Sequence, residues 1–144
     1  MSTAKLYGSV LTQIVTGAID VGTDTLKISL HTSSYSPNQD THDFFNDVTN
    51  EVSGTGYTAG GETLTGVSVS YDGPTNTLTI DCDDPTWGGA TLSGIRYAVV
   101  YKDTGTSSTS PLLCWMDFIT DQSVSGSAFT IVMPSTGLIQ ATVA

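Results

Sequence analysis

Ile95-Arg96-Tyr97-Ala98-Val99-Val100-Tyr101 and Pro111-Leu112-Leu113-Cys114-Trp115-Met116-Asp117-Phe118-Ile119 flank the polar run Lys102-Asp103-Thr104-Gly105-Thr106-Ser107-Ser108-Thr109-Ser110. Two apolar runs around a loop of small polar residues predict a pair of antiparallel strands. Side chains alternate along a strand, so Ile95, Tyr97, Val99 and Tyr101 are expected on one face. By the same rule Leu112, Cys114, Met116 and Phe118 share a face, and Leu113, Trp115 and Ile119 take the other. A strand apolar on both faces needs cover on both sides. This hairpin is therefore the expected centre of the core.

The flanking sequence supplies further strands. Leu26, Ile28 and Leu30 alternate with Lys27, Ser29 and His31, predicting a half-buried strand with His31 on its solvent side. Leu64–Tyr71 and Thr77–Cys82 form a second hairpin across Asp72-Gly73-Pro74-Thr75-Asn76, with Val67, Val69, Tyr71, Leu78 and Ile80 on its buried side. Asp83 to Gly89 reads as a turn, Phe129–Met133 as a strand, and Leu138–Val143 as the last one. Leu6, Val10, Leu11, Ile14 and Val15 recur at helical steps before Gly17, which predicts an amphipathic helix over residues 4–16. Such a helix either covers the sheet or docks on a partner. No internal repeat or linker divides the chain, so residues 1–144 are expected to form a single β domain. The predicted architecture is all-β, an antiparallel sandwich or jelly roll with one short N-terminal helix.

Residues 33–63 do not fit this pattern. The stretch is rich in turn residues yet holds Tyr35, Phe44, Phe45 and Tyr57. A short helical turn is expected at Phe44, Phe45 and Val48, capped by Asp40 or Thr41. Irregular connections this long are often functional. Aromatics in such a loop must pack on their own sheet or enter a seam between chains. The low charge of the stretch favours the seam, which makes Tyr35, Phe44, Phe45 and Tyr57 the candidate protein-interface residues.

Composition narrows the function. Charged residues are 12 % of the chain, about half the usual quarter, so solubility must rest on Ser, Thr, Asn and Gly. Fourteen acids face four bases, for a formal net charge of −10. That balance argues against direct nucleic-acid binding and against anionic membrane surfaces. No apolar run reaches the roughly 20 residues that span a bilayer, and the first residues lack a secretory-signal pattern. The chain is expected to be made and assembled in a cytosol. Cys82 and Cys114 lie on separate predicted strands and read as small buried thiols, with a cross-strand disulfide as the alternative.

Chemistry-bearing patterns are sparse. Asp81, Asp83 and Asp84 form an acidic turn that could hold a cation through oxygen ligands, but an EF-hand pattern is absent. A Ser-His-Asp device would need His31 or His42, and no nucleophile-elbow sequence accompanies either. The run Gly54-Thr55-Gly56-Tyr57-Thr58-Ala59-Gly60-Gly61 is a weak phosphate cradle, since no Lys-Ser/Thr follows it. Neither catalysis, a metal nor a cofactor is expected. Tyr35, Tyr57 and Trp87 would be the aromatics for carbohydrate stacking, were they exposed.

Several motifs together carry a resemblance: Ile19-Asp20 with Asp24-Thr25-Leu26-Lys27; Asp40-Thr41-His42-Asp43-Phe44-Phe45-Asn46-Asp47-Val48; Asn50 through Gly66; Asp84-Pro85-Thr86-Trp87; and Ala98-Val99-Val100-Tyr101-Lys102-Asp103-Thr104-Gly105. The chain resembles a family of small tailed-bacteriophage virion structural proteins, from residue 5 to about 130. The resemblance implies a structural role in a virion, with a capsid cement or decoration protein as the favoured form. Its partners would be the major capsid protein and copies of itself as a homo-oligomer. A tail-associated role, or a receptor- or carbohydrate-binding β-sandwich module, is the alternative.

Overall fold

The computed structural model describes residues 4–144, and antiparallel strands make up most of the regular structure. The strands are β1 (Ala4–Leu6), β2 (Leu26–His31), β3 (Glu62–Thr63), β4 (Ser68–Asp72), β5 (Thr77–Asp81), β6 (Thr86–Lys102), β7 (Leu112–Thr130) and β8 (Ile139–Thr142); the helix α1 spans Val10–Val15. They form a five-stranded sheet, β1-β7-β6-β2-β3, and a three-stranded sheet, β4-β5-β8. The all-β expectation holds.

The predicted hairpin is the middle of the large sheet. Ser29, Val99 and Trp115 lie side by side across β2, β6 and β7, and Leu30, Ala98 and Met116 form the next row. Its two faces carry different chemistry. Ile28, Leu30, Ala98, Val100, Cys114 and Met116 join one buried cluster that also contains Ile80 and Ile139 of the small sheet. Val99, Tyr101, Leu112 and Trp115 join a second cluster with Tyr7 and Tyr35. The need for cover on both sides is thus met by a sheet on one face and by aromatics from irregular segments on the other.

Strict alternation fails at both ends of the hairpin. The β6–β7 register shifts between Ile95 and Tyr97 and between Val100 and Tyr101. Each extra residue turns the following side chains to the opposite face. Ile95 therefore leaves the face of Tyr97, Val99 and Tyr101, and Leu112 leaves that of Cys114 and Met116. The two strands are also longer than predicted, 17 and 19 residues. Thr86–Gly89, expected as turn, belongs to β6, and the expected strand Phe129–Met133 is split between the end of β7 and irregular chain. β7 bends sharply along its course. The rings of Phe118 and Phe129 sit 6.2 Å apart, although eleven residues of straight strand would span about 36 Å. Ile119 and Gly126, both at positive φ, lie within the bend.

The N-terminal segment is not the helix expected over 4–16. Ala4–Leu6 pairs with Cys114–Met116, Tyr7 turns into the aromatic cluster, and only Val10–Val15 is helical. The reason is the open edge of β7: Lys5 and Tyr7 take ladder positions there, and the Tyr7 amide donates to the Leu113 carbonyl. Within α1, Val10 is buried and Ile14 half-buried, while Leu11 and Val15 face solvent.

Trp115 packs its ring on Tyr7 at 4.7 Å in the centre of the large sheet. Trp115→Ala is expected to cost about 3–5 kcal/mol in denaturant unfolding. A loss under about 1 kcal/mol would contradict this packing.

Candidate functional site

Two of the candidate residues, Tyr35 and Phe45, meet on the aromatic face of the large sheet, while Tyr57 packs against the opposite cluster. Ser29 and His31, on the side of β2 expected to face water, are both fully buried. They are covered because residues 33–50 fold back over them. The Nδ1 of His31 lies 2.9 Å from the Thr49 carbonyl, and its Nε2 lies 2.8 Å from the Ser29 hydroxyl. A carbonyl can only accept, so Nδ1 carries the proton. It is burial that favours the neutral ring, in which Nε2 accepts from Ser29, since the Ser29 hydroxyl could accept as well as donate. Burial, the dominant cause, pushes the His31 pKa below its ordinary 6.5, against opposing pulls from the Thr49 carbonyl and the Glu51 charge.

A second polar chain runs beside it. The hydroxyls of Tyr7 and Tyr35 are 2.9 Å apart, and Tyr35 Oη is 3.1 Å from His42 Nδ1. The Asn38 amide also points its hydrogen at that nitrogen, so His42 Nδ1 accepts and Tyr35 donates to it. Tyr35 can then accept from Tyr7, which leaves both buried hydroxyls paired. Burial raises the pKa of both phenols.

The four candidate interface residues occupy different environments. Tyr35 is 1 % exposed and is a core residue, so it offers no contact surface; its hydroxyl pairing makes burial tolerable. Phe45 is half-buried and stacks on Tyr101, centroids 3.9 Å apart and rings 11° from parallel. Phe44 is half-buried where the loop backbone bridges to Pro111, and the Phe45 amide donates to the Ser110 carbonyl. Tyr57 accepts from the Leu30 amide and donates to Glu51 Oε1 at 2.6 Å. Of the two destinations open to these aromatics, Tyr35, Phe45 and Tyr57 take their own sheet. The short turn is a 3-10 turn at Phe45–Asp47, and its cap is neither Asp40 nor Thr41. Asp47 Oδ2 accepts from the amides of Asp43 and Phe44 instead.

The Gly-rich run is a packing device. A Cβ at Gly61 would overlap the Ile28 carbonyl, and one at Gly54 would overlap the Thr91 carbonyl. Only glycine lets this loop lie flat against β2 and β6. Glu51 fastens it, with Oε1 also accepting from the Gly60 amide at 2.6 Å.

Ser29 and His31 have the separation of a nucleophile and its base, yet nothing outside the protein reaches them. Trp87, considered for sugar stacking, is 1 % exposed beneath Tyr57 and Phe129. In the acidic turn, Asp83 accepts from the Thr65 hydroxyl and Asp84 from the Met133 amide. Among the described residues no group of three or more His, Cys, Asp or Glu could hold a metal ion. Cys82 and Cys114 are free and buried, and burial pushes each thiol up to about 12. No helix among the described residues is long and apolar enough to cross a membrane. No family model, curated protein or solved structure matches the chain.

Burial of Ser29 and His31 departs from the sequence expectation because the apolar/polar alternation of β2 predicts one wet face. The long loop carried the available signal, since its aromatics need somewhere to pack.

Two measurements check this picture. The unfolded chain binds a proton at His31 near pH 6.5, and the folded chain only at lower pH. Stability from this group is therefore complete above about pH 6.5 and is lost as pH falls below it, by at most about 1.4 kcal/mol per pH unit. Denaturant midpoints between pH 7 and 5 should fall more steeply for the native protein than for His31→Gln. Equal slopes would mean that His31 protonates freely in the fold. Phe45→Ala is expected to lower unfolding free energy by about 2 kcal/mol through loss of the stack on Tyr101. An unchanged midpoint would make Phe45 a contact residue rather than a packing one.

Proposed function

We propose that this chain is a structural component of a tailed-phage virion, with capsid cement or decoration as its role and the major capsid protein and copies of itself as its partners. The reading rests on the set of motifs spread from Ile19 to Gly105, which resemble those of small tailed-phage virion structural proteins. Their placement suits the role. Asp43, Phe44 and Phe45 tie the long loop to the β6–β7 turn, and the Gly54–Gly61 run seats it on the sheet. The motifs thus hold a rigid β scaffold together, which is what a cement protein needs.

A cement protein works by binding assembled shell in preference to loose subunits, so each bound copy stabilises the particle by mass action. No catalytic step is required of it, and the paired Ser29 and His31 are sealed from solvent. The carbohydrate-binding alternative draws no support from Tyr35 and Trp87, which are buried.

The test is the composition of purified virions. The protein is expected in DNA-filled heads separated from tails, and heads stripped of it should rupture at lower temperature. Recovery in the tail fraction alone would replace the capsid reading with a tail-associated one. Absence from intact particles would overturn both.

A further inference from the structure

The core face of the small sheet is covered at one end and bare at the other. Ile139, Ile80 and Val69 lie opposite one another across β8, β5 and β4. Their exposures run 2 %, 4 % and 52 %. In the next row Tyr71, opposite Leu78, is 56 % exposed. The pattern Val67, Val69, Tyr71 predicts a buried side that β4 does not have. A groove of about 430 Å³ is lined by Val69, Leu78 and Ile80 of this sheet together with Ile14, Ile19 and Asp20.

β4 is also an edge strand. Its one partner is β5, so among the described residues no strand meets its outer side. Alternate amide and carbonyl groups along that side point outward unpaired. Natural edges are blunted by lysine, proline, bulges or covering segments. Ser68-Val69-Ser70-Tyr71-Asp72 has no lysine or proline, and its five pairs with β5 run without a shift. The outer side of β7 differs: β1 pairs with it at Cys114–Met116, and Ile119 at positive φ interrupts it beyond.

Charge selects the occupant. Asp72 and, opposite Ser68, Asp81 lie on the outer face of this hairpin. The Asp83 carboxylate sits against Gly66, just before the strand begins. Among the described residues no lysine or arginine lines the groove. Lys27, Arg96 and Lys102 are held in ion pairs with Asp103, Asp117 and Asp24. A second copy of the chain would bring the same acids. Two β4 edges paired antiparallel about Ser70 would set Asp72 of one copy beside Ser68 of the other, in the row of Asp81. Asp72 of one copy would then share a row with Asp81 of the other, one strand between them and about 10 Å apart, and among the described residues no base lies in that row to offset them.

We propose that the outer edge of β4 and the groove beside it receive an extended, basic segment of another protein by strand addition. The added strand takes up the unpaired backbone groups, its apolar side chains cover Val69 and Tyr71, and its alternate lysines or arginines meet Asp72 and Asp81. Main-chain pairing supplies affinity and the alternate side chains supply selectivity. The site stands on the geometry of β4, wherever the chain resides.

The test titrates the isotope-labelled full chain with a peptide of about eight residues alternating valine and lysine. The amides of residues 67–72 are expected to shift and to exchange at least about tenfold more slowly. Replacing the peptide lysines by glutamate should weaken binding at least about tenfold, and added salt should weaken the lysine peptide. Val69→Ser removes the apolar contact, and Ser70→Lys adds a repelling charge. Both residues are exposed, so each variant should keep the parent's melting temperature and bind the lysine peptide more weakly. No binding at about 1 mM, equal binding of the glutamate peptide, shifts confined to other strands, or unchanged affinity in both variants would each overturn the proposal. Concentration-dependent dimerisation that protects residues 67–72 would overturn it in favour of a second copy.

Discussion

The β6–β7 pair is apolar on both faces, and the rest of the structure answers that demand. A two-stranded ribbon cannot bury itself, so each face must be covered by something else. The small sheet, α1 and the segment through Met133 and Leu138 cover one face. Tyr7, Tyr35, Phe45 and Val48 cover the other. The second cover is built from side chains on irregular backbone, which is unusual because loop backbone brings polar groups that need partners. Here those partners are found. The Leu112 amide donates to the Asp43 carbonyl, the Val52 amide to Leu30, and Glu51 collects the Tyr57 hydroxyl and the Gly60 amide.

Covering a wet-looking strand face has a consequence for chemistry. Ser29 and His31 are polar and fully buried, which would be costly if they were left unpaired. Each satisfies the other, and Thr49 completes the set. The same geometry on an open surface would resemble part of a hydrolase. Beneath the loop it is a structural link between β2 and the chain at Thr49. Burial therefore decides what the pair does, and residue identity does not.

The small sheet shows the opposite imbalance. Ile139 of β8 and Ile80 of β5 are sealed, while Val69 of β4, in the same row, is open to solvent. An apolar alternation records which side of a strand can be buried. It does not record whether anything is there to bury it.

Local pattern alone determined the all-β class, the central hairpin, the Leu64–Cys82 hairpin and the last strand, because period-two alternation and turn residues are properties of adjacent positions. It also located the loop whose aromatics matter. The tertiary structure decided everything that depends on distant neighbours. It sent Lys5 and Leu6 into a strand because β7 had an edge to fill, and buried His31 because the loop closed over it. It moved Ile95 and Leu112 to other faces because bulges in the β6–β7 ladder reverse the alternation. It left Val69 bare because, among the described residues, no strand lies beyond β4. A residue's preferred conformation is local, but its burial is set by chain that may be a hundred positions away in sequence.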